Sequence, residues 1–263
     1  MTRVAKHRHA VDTGYARGEE TRARIVGAAL KMFGERGFEA ASTRDIATLA
    51  GVNAPALQYY FDNKEGLYLA CAEHIVRRVR DHVGDALTAA EQALVEDKSD
   101  AELIDAYCTI QERQAHFMFT SDEASDWRLF MARLQTGEGP ASGFQCLTDR
   151  ISTQMTRVLA SIVGRMLGRS PEDEETLVRT MMLGGQMHIF HFARRSMLAK
   201  LNWDTIDANR LALLKRVIRK HTTVLLRSMA KERDAAPAVH SLHTTPAGAL
   251  RKRAKKKAVA ARH

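Results

Sequence analysis

Apolar residues recur at intervals of three and four along most of the chain, and nowhere do Val, Ile and aromatic residues alternate with polar ones for long. That spacing belongs to amphipathic helices, so the expected fold class is all-α. Residues 19–36 place Ile25, Ala28, Ala29, Met32 and Phe33 on one face, and the pattern stops at Gly37. Ser42 is placed to cap a short second helix carrying Ile46, Leu49 and Ala50, with Asp45 three residues on and Gly51 at its end. Asn53 is placed to cap a third, where Pro55 falls in the first turn and Leu57, Tyr60 and Phe61 follow. Asn63 is placed to cap a fourth, in which Leu67, Cys71, Ile75, Val79 and Val83 run at four-residue spacing. Longer helices are predicted over about 100–119, 122–136, 144–168, 172–199 and 205–229. GEGPASG (137–143), Gly168 with Pro171, and the Asn202–Asp204 stretch separate them.

Residues 43–61 read as a helix-turn-helix. Gly51 supplies the positive φ of the turn, and Val52 packs beneath it. Ile46, Leu57 and Phe61 lock the pair against the first helix. The second helix of the pair then presents short or planar side chains outward, as entry into a major groove about 12 Å wide requires. Those residues are Asn53, Ala54, Pro55, Ala56, Gln58 and Tyr59.

Over about residues 21–67 the sequence resembles the N-terminal domain of TetR-family transcriptional regulators. The likeness rests on Ile25, Ala28, Ala29, Phe33, Gly37 and Phe38, then Thr43, Ile46, Ala47, Ala50, Gly51 and Val52. It continues through Leu57, Tyr59, Tyr60, Phe61, Lys64, Glu65 and Leu67. The resemblance implies that Thr43 and Arg44 meet phosphate at a helix start, and that Tyr59, Tyr60 and Lys64 are phosphate clamps or supports. Tyr60 is equally well read as core. Gln58 stands where the family usually has Tyr, and Tyr60 where it often has His, so the operator sequence does not carry over. Leu57-Gln-Tyr-Tyr-Phe and Lys64-Glu-Gly-Leu-Tyr68 are also similar to the CecR-like branch of that family.

Charge divides the chain. Residues 231–263 hold nine basic and two acidic residues, which is +7 of the formal +9. The expected organisation is a flexible arm (1–18), a DNA-binding domain (19–66), a helical ligand-binding and dimerisation domain (67–230) and a basic disordered tail (231–263). Cys71, Cys108 and Cys146 form no CxxC pair, no apolar run reaches the length of a membrane span, and the N-terminus lacks a secretory pattern. A cytoplasmic setting with no membrane partner, cofactor or metal site is expected. No Ser/His/Asp order or phosphate loop points to an enzyme. The alternative readings are a sequence-nonspecific architectural DNA binder driven by the basic tail and, behind it, an enzyme in the C-terminal helical domain.

Eight of the eleven methionines lie between 118 and 197, among several aromatic residues, and this concentration suggests a cavity for a small, largely apolar effector. Its expected wall is Phe117, Trp127, Phe130, Met131, Met155, Met182 and His188, although core filling explains any one of them. His188 and His191 lie at i, i+3 without an evident third ligand. Arg194-Arg195 is expected to close their helix. One short recognition helix touches too few base pairs, so a homodimer on double-stranded DNA is expected, with recognition helices about 34 Å apart. The helices at 144–168 and 172–199 are the expected interface, with Met155, Leu159, Ile162, Gly184, Gly185 and His188 in it. The fourth helix is the expected lever between ligand and DNA.

Overall fold

The computed structural model describes residues 4–120 and 124–235, and all regular structure among them is helical. In order these are α1 (Val4–Ala40), α2 (Thr43–Leu49), α3 (Ala54–Phe61), α4 (Lys64–Val95), α5 (Asp100–Thr120) and α6 (Ala124–Gln135). Then come α7 (Ala141–Leu147), α8 (Thr153–Leu167), α9 (Glu174–Phe192), α10 (Arg194–Leu201) and α11 (Ala208–Ala235).

Four boundaries differ from expectation. The segment 4–18, expected as a flexible arm, continues α1 back to Val4, while Gly37 (φ 81°, ψ 169°) breaks the helix where the periodicity stops. The helix expected at 144–168 is α7 and α8 joined through a π-helical turn, Thr148–Ser152, where the Thr153 hydroxyl donates to the Thr148 carbonyl at 3.0 Å. The helix expected at 172–199 breaks at Ala193, so Arg194 opens α10 instead of closing α9. Residues 231–235, expected in the tail, complete α11, and Arg233 pairs with Asp100 at 2.8 Å. The tail expected over 236–263 and residues 1–3 of the expected arm lie outside the described residues.

Side-chain caps account for the short helices. Ser42 Oγ accepts from the Asp45 amide at 3.0 Å, and Asn63 Oδ1 from the Gly66 amide at 2.8 Å. Each such cap contributes about 1 kcal/mol. Ile25, Phe33, Ile46, Leu57 and Phe61 are all buried and close the three-helix N-terminal unit.

α4 runs from that unit into the body. Near its start Tyr68 packs edge-on to Phe33 and Phe38, with ring centroids 5.2 and 5.3 Å away, and lies 4.7 Å from Phe130 of α6. The loop 137–143 sits on the same ring. A Cβ at Gly143 would come within 2.6 Å of Tyr68, so close approach requires glycine there. A second core lies farther along, where α4, α5, α8 and α11 bury Val83, Leu103, Ile110, Ile162, Met166 and Leu226. Full burial of one such side chain contributes about 1.5–3 kcal/mol. Gln111 and Thr222 are buried among them: Thr222 Oγ1 donates to Gln111 Oε1 at 2.8 Å, and Gln111 Nε2 donates to the Leu183 carbonyl at 3.0 Å. This chain of hydrogen bonds satisfies the buried groups and fixes α5, α9 and α11 in one register.

Candidate nucleic-acid interface and internal cavity

The turn between α2 and α3 is built from backbone hydrogen bonds around Gly51. At φ 66°, Gly51 donates to the Thr48 carbonyl (3.1 Å), and Val52 donates to the Ala47 carbonyl (2.9 Å). These two bonds satisfy the last carbonyls of α2 in a Schellman arrangement. α3 leaves with Leu57 and Phe61 turned inward and Asn53, Ala54, Pro55, Gln58 and Tyr59 exposed, while Ala56 is half-buried. Tyr59 is 83% exposed, far more than core packing would leave it.

Three expected contact residues have internal partners. Asn53 Oδ1 accepts from the Ala56 amide at 2.9 Å, so the carbonyl oxygen is committed to the cap and only the amide NH2 faces outward. Tyr60 is half-buried with its hydroxyl beside Gly18, which makes it a support for α1. Lys64 Nζ donates to the Glu39 carbonyl at 3.2 Å and lies 4.5 Å from the Phe38 ring centroid, tying the start of α4 to the end of α1. Thr43 is half-buried at the start of α2 and Arg44 is exposed beside it.

The body holds a cavity of about 320 Å³ bounded by α4 to α9 and the π-helical turn. Phe117, Trp127, Met131, Met155 and His188 line it together. Two expected wall residues do not. Phe130 is 1% exposed and its ring is taken up by packing on Tyr68, 4.7 Å away. Met182 is 72% exposed on the outer face of α9. The wall also includes residues the periodicity did not single out: Gln114, Phe144, His191, and Thr148 and Ser152 of the π-helical turn. A π-helical insertion is invisible in a pattern of three and four, although such insertions often mark functional walls. Among the described residues no group of three metal-type ligands occurs around the two histidines.

The dimer residues also need correction. Leu159 (7% exposed) and Ile162 (0%) point into the core of the body, so α8 has no apolar face left to share. Met155 and His188 face the cavity. Gly184 and Gly185 do lie on an open side, where a Cβ would meet nothing within 4 Å. Around them α9 exposes Val178, Met181, Met182 and Ile189, and α11 exposes Leu213, Val217, Val224 and Leu225.

Sequence reasoning missed Arg133 altogether. From α6 it donates to the Gly34 carbonyl (2.7 Å) and the Glu35 carbonyl (3.1 Å) in the last helical turn of α1. Its remaining nitrogen pairs with Glu138 at 2.6 Å. The guanidinium therefore caps the helical part of α1 from α6, about a hundred positions away, a role that no local pattern announces.

Residues 25–71 match the family described as bacterial regulatory proteins, tetR family, and residues 103–229 match the C-terminal domain of the HTH-type transcriptional dual regulator CecR. The CecR protein of Shigella flexneri is 25% identical over 215 residues, covering 82% of this chain and 95% of that protein. The HTH-type transcriptional repressor NicS of Pseudomonas putida is 40% identical over 57 residues, 22% of this chain and 27% of that one. A crystal structure described as a TetR-family regulator from Mesorhizobium loti shares the fold, with a TM-score of 0.53 at 17% identity over 81% of this chain and 98% of that chain. Among the described residues no helix is long and apolar enough to cross a membrane.

Proposed function

The chain belongs to the TetR family of DNA-binding transcriptional regulators, and from that premise we propose a cytoplasmic homodimeric repressor, released from a palindromic operator by a small, largely apolar ligand. The observation that carries this reading is the double allegiance of α6. Trp127 and Met131 form part of the cavity wall, while Phe130 and Arg133 of the same helix hold α1 and its neighbours. A ligand that displaces Trp127 moves a rigid helix whose other side is fastened to the DNA-binding unit. α6 thus joins α4 as a lever between cavity and recognition helix.

The dimer face in this reading is α9 with α11, not α8. α9 presents Val178, Met181, Met182 and Ile189 along one side, with Gly184 and Gly185 permitting close approach of a second copy. An apolar stripe of that length on two neighbouring helices suits a four-helix interface between identical subunits. The repressor assignment is supported by the likeness to NicS, a transcriptional repressor, whereas CecR is a dual regulator.

Ligand binding shifts DNA affinity only through its differential affinity for the two dimer states, and a coupling of about 1–3 kcal/mol is expected. The test uses an operator selected from genomic fragments by the chain itself, followed by a screen for compounds that release it. Trp127→Ala is expected to weaken the response to such a compound while ligand-free operator binding stays intact. A lowered melting temperature with an unchanged response would contradict the assignment of Trp127 to the ligand site.

A further inference from the structure

The cavity and a second recess meet at one movable side chain. Leu134, Gln135 and Phe144 line the cavity, and the same three residues line a solvent-open groove of about 310 Å³ over the loop 137–143. Gly137, Glu138, Gly139, Pro140 and Ala141 form the rest of the groove wall. Leu134 is 3% exposed and held in the core, whereas Phe144 is 45% exposed. An aromatic side chain with that much of its surface in water changes rotamer quickly and loses little packing when it does. A turn of the Phe144 ring joins the two spaces and nearly doubles the room for a ligand.

The joined space offers no free charge. Among the described residues no Lys, Arg, Asp or Glu lines the cavity. Burial, the leading cause for both, holds His188 and His191 below the ordinary histidine range, so both rings are neutral at pH 7. Glu138, the charged residue of the groove wall, is committed to Arg133 at 2.6 Å. Gln114, Thr148 and Ser152 supply uncharged hydrogen-bonding groups. The loop under the groove is also a fixed surface. Tyr68 Oη donates to the Glu138 carbonyl at 3.2 Å, and a Cβ at Gly139 would come within 2.7 Å of that oxygen. Packed against Tyr68 in this way, the loop backbone is held away from the space above it.

We infer that cavity and groove form one site, and that it takes an elongated, uncharged molecule with one end against Trp127 and Met155 and the other past Phe144 on the loop 137–143. The inference rests on the effector-cavity reading above and adds the shape and charge of the ligand and a second contact surface. The cavity alone, at about 320 Å³, is near the small end of ligand sites and holds a compact molecule. Passage beyond Phe144 lets a longer one bury its far end on Leu134, Pro140 and Ala141. An ion would leave water without meeting a free counter-charge in either part, which is strongly unfavourable.

Isothermal titration calorimetry on the full chain tests this with 4-ethylphenol and 4-hexylphenol, both uncharged at neutral pH. Ala141→Trp fills the groove from an exposed position, and Ser142→Trp is its control, next to it on α7 but outside both walls. Ala141→Trp is expected to weaken 4-hexylphenol about tenfold, the burial of roughly two methylenes, and 4-ethylphenol less than about twofold. Ser142→Trp should change neither. The ions 4-hexylbenzoate and 4-hexylbenzylammonium should bind about tenfold or more weakly than 4-hexylphenol. Met155→Trp, or Ser152→Trp should the first not fold, should abolish binding of every probe. Equal effects of Ala141→Trp on the two phenols, or none on 4-hexylphenol, overturn the joined site, and an ion that binds as tightly as 4-hexylphenol overturns the uncharged assignment. The cavity reading still stands after these results if Met155→Trp or Ser152→Trp abolishes binding. Binding that ignores those two variants overturns both. Absence of heat from both phenols overturns the joined site, and the operator-release screen then decides the cavity separately.

Discussion

α8 and α9 are neighbours of similar apolar content, yet they spend it differently. α8 buries Val158, Leu159, Ala160, Ile162, Val163 and Met166 against α4, α5 and α11. α9 buries Leu183 and Met187 on one side, sends His188 and His191 to the cavity, and leaves Met181 and Met182 exposed on another. Apolar surface left in water is unfavourable by about 25 cal/mol per Å². In the proposed dimer this stripe is the surface that a second copy covers. The same contrast separates the two units of the chain. The first three helices close on Ile25, Phe33, Ile46, Leu57 and Phe61, all 5% exposed or less, whereas the body retains both a cavity that opens to solvent and an exposed apolar face.

The largest expected effect comes from the closed unit. Phe33→Ala should lower stability by about 3–5 kcal/mol in chemical denaturation, through lost burial and the cavity it leaves. Tyr59→Ala should leave stability within about 0.5 kcal/mol while weakening DNA binding. Equal stability losses in the two variants would place Tyr59 in the core.

On the open face, Met181→Asp should raise the dimer dissociation constant at least a hundredfold, about 3 kcal/mol, as read by analytical ultracentrifugation. The circular dichroism spectrum should stay helical. A change at another exposed position outside the stripe, Arg44→Asp, should leave association unchanged. If both variants dimerise as the wild type does, the α9 stripe covers something else.

The cavity wall responds to pH. His191 has a folded pKa near 3 against an ordinary 6.5, with burial the leading cause. The folded state favours the neutral ring, so this contribution is complete above pH 6.5 and is lost as pH falls from there towards 3. Between pH 7 and 5 the loss attributable to His191 is about 2 kcal/mol. His191→Phe should flatten the stability profile over that range by the same amount. A variant profile parallel to the wild type would show that the imidazole is not held neutral.

The smallest effects separate an exposed position of the interface, Gln58, from a half-buried one, Lys64. Gln58→Ala should reduce discrimination at one base pair of each half-site by about 1 kcal/mol or more, without changing the melting temperature. Lys64→Ala should weaken all sequences alike, flatten the salt dependence, and also destabilise the fold by about 1 kcal/mol, because its ammonium binds the Glu39 carbonyl. Exchange of the two patterns would mean that the roles are reversed.

What could be read from the residues follows the range of the forces involved. The helix-turn-helix was legible because its determinants are local: Gly51 for a positive φ, Ser42, Asn53 and Asn63 for helix starts, and a three- and four-residue apolar pattern. The partition of the body was not. α9 is apolar around most of its circumference, so periodicity gave no way to tell the cavity side, His188, from the outer side, Met182. α8 looked equally available as an interface until α5 and α11 covered Ile162. The cap that Arg133 places on α1 joins residues about a hundred positions apart, and the π-helical turn shifts the register of Thr148–Ser152 without a sequence signal.

Native mass spectrometry of the full chain on a selected operator fragment, compared with Met181→Asp on the same DNA, bears most directly on the claim that the open face assembles the reader. Two chains per operator, or a multiple of two, are expected for the wild type, on half-sites whose centres lie about 34 Å apart. Met181→Asp should stay folded and lose the complex at the same concentration. A single chain bound with full affinity, or a variant that binds as the wild type does, would contradict it.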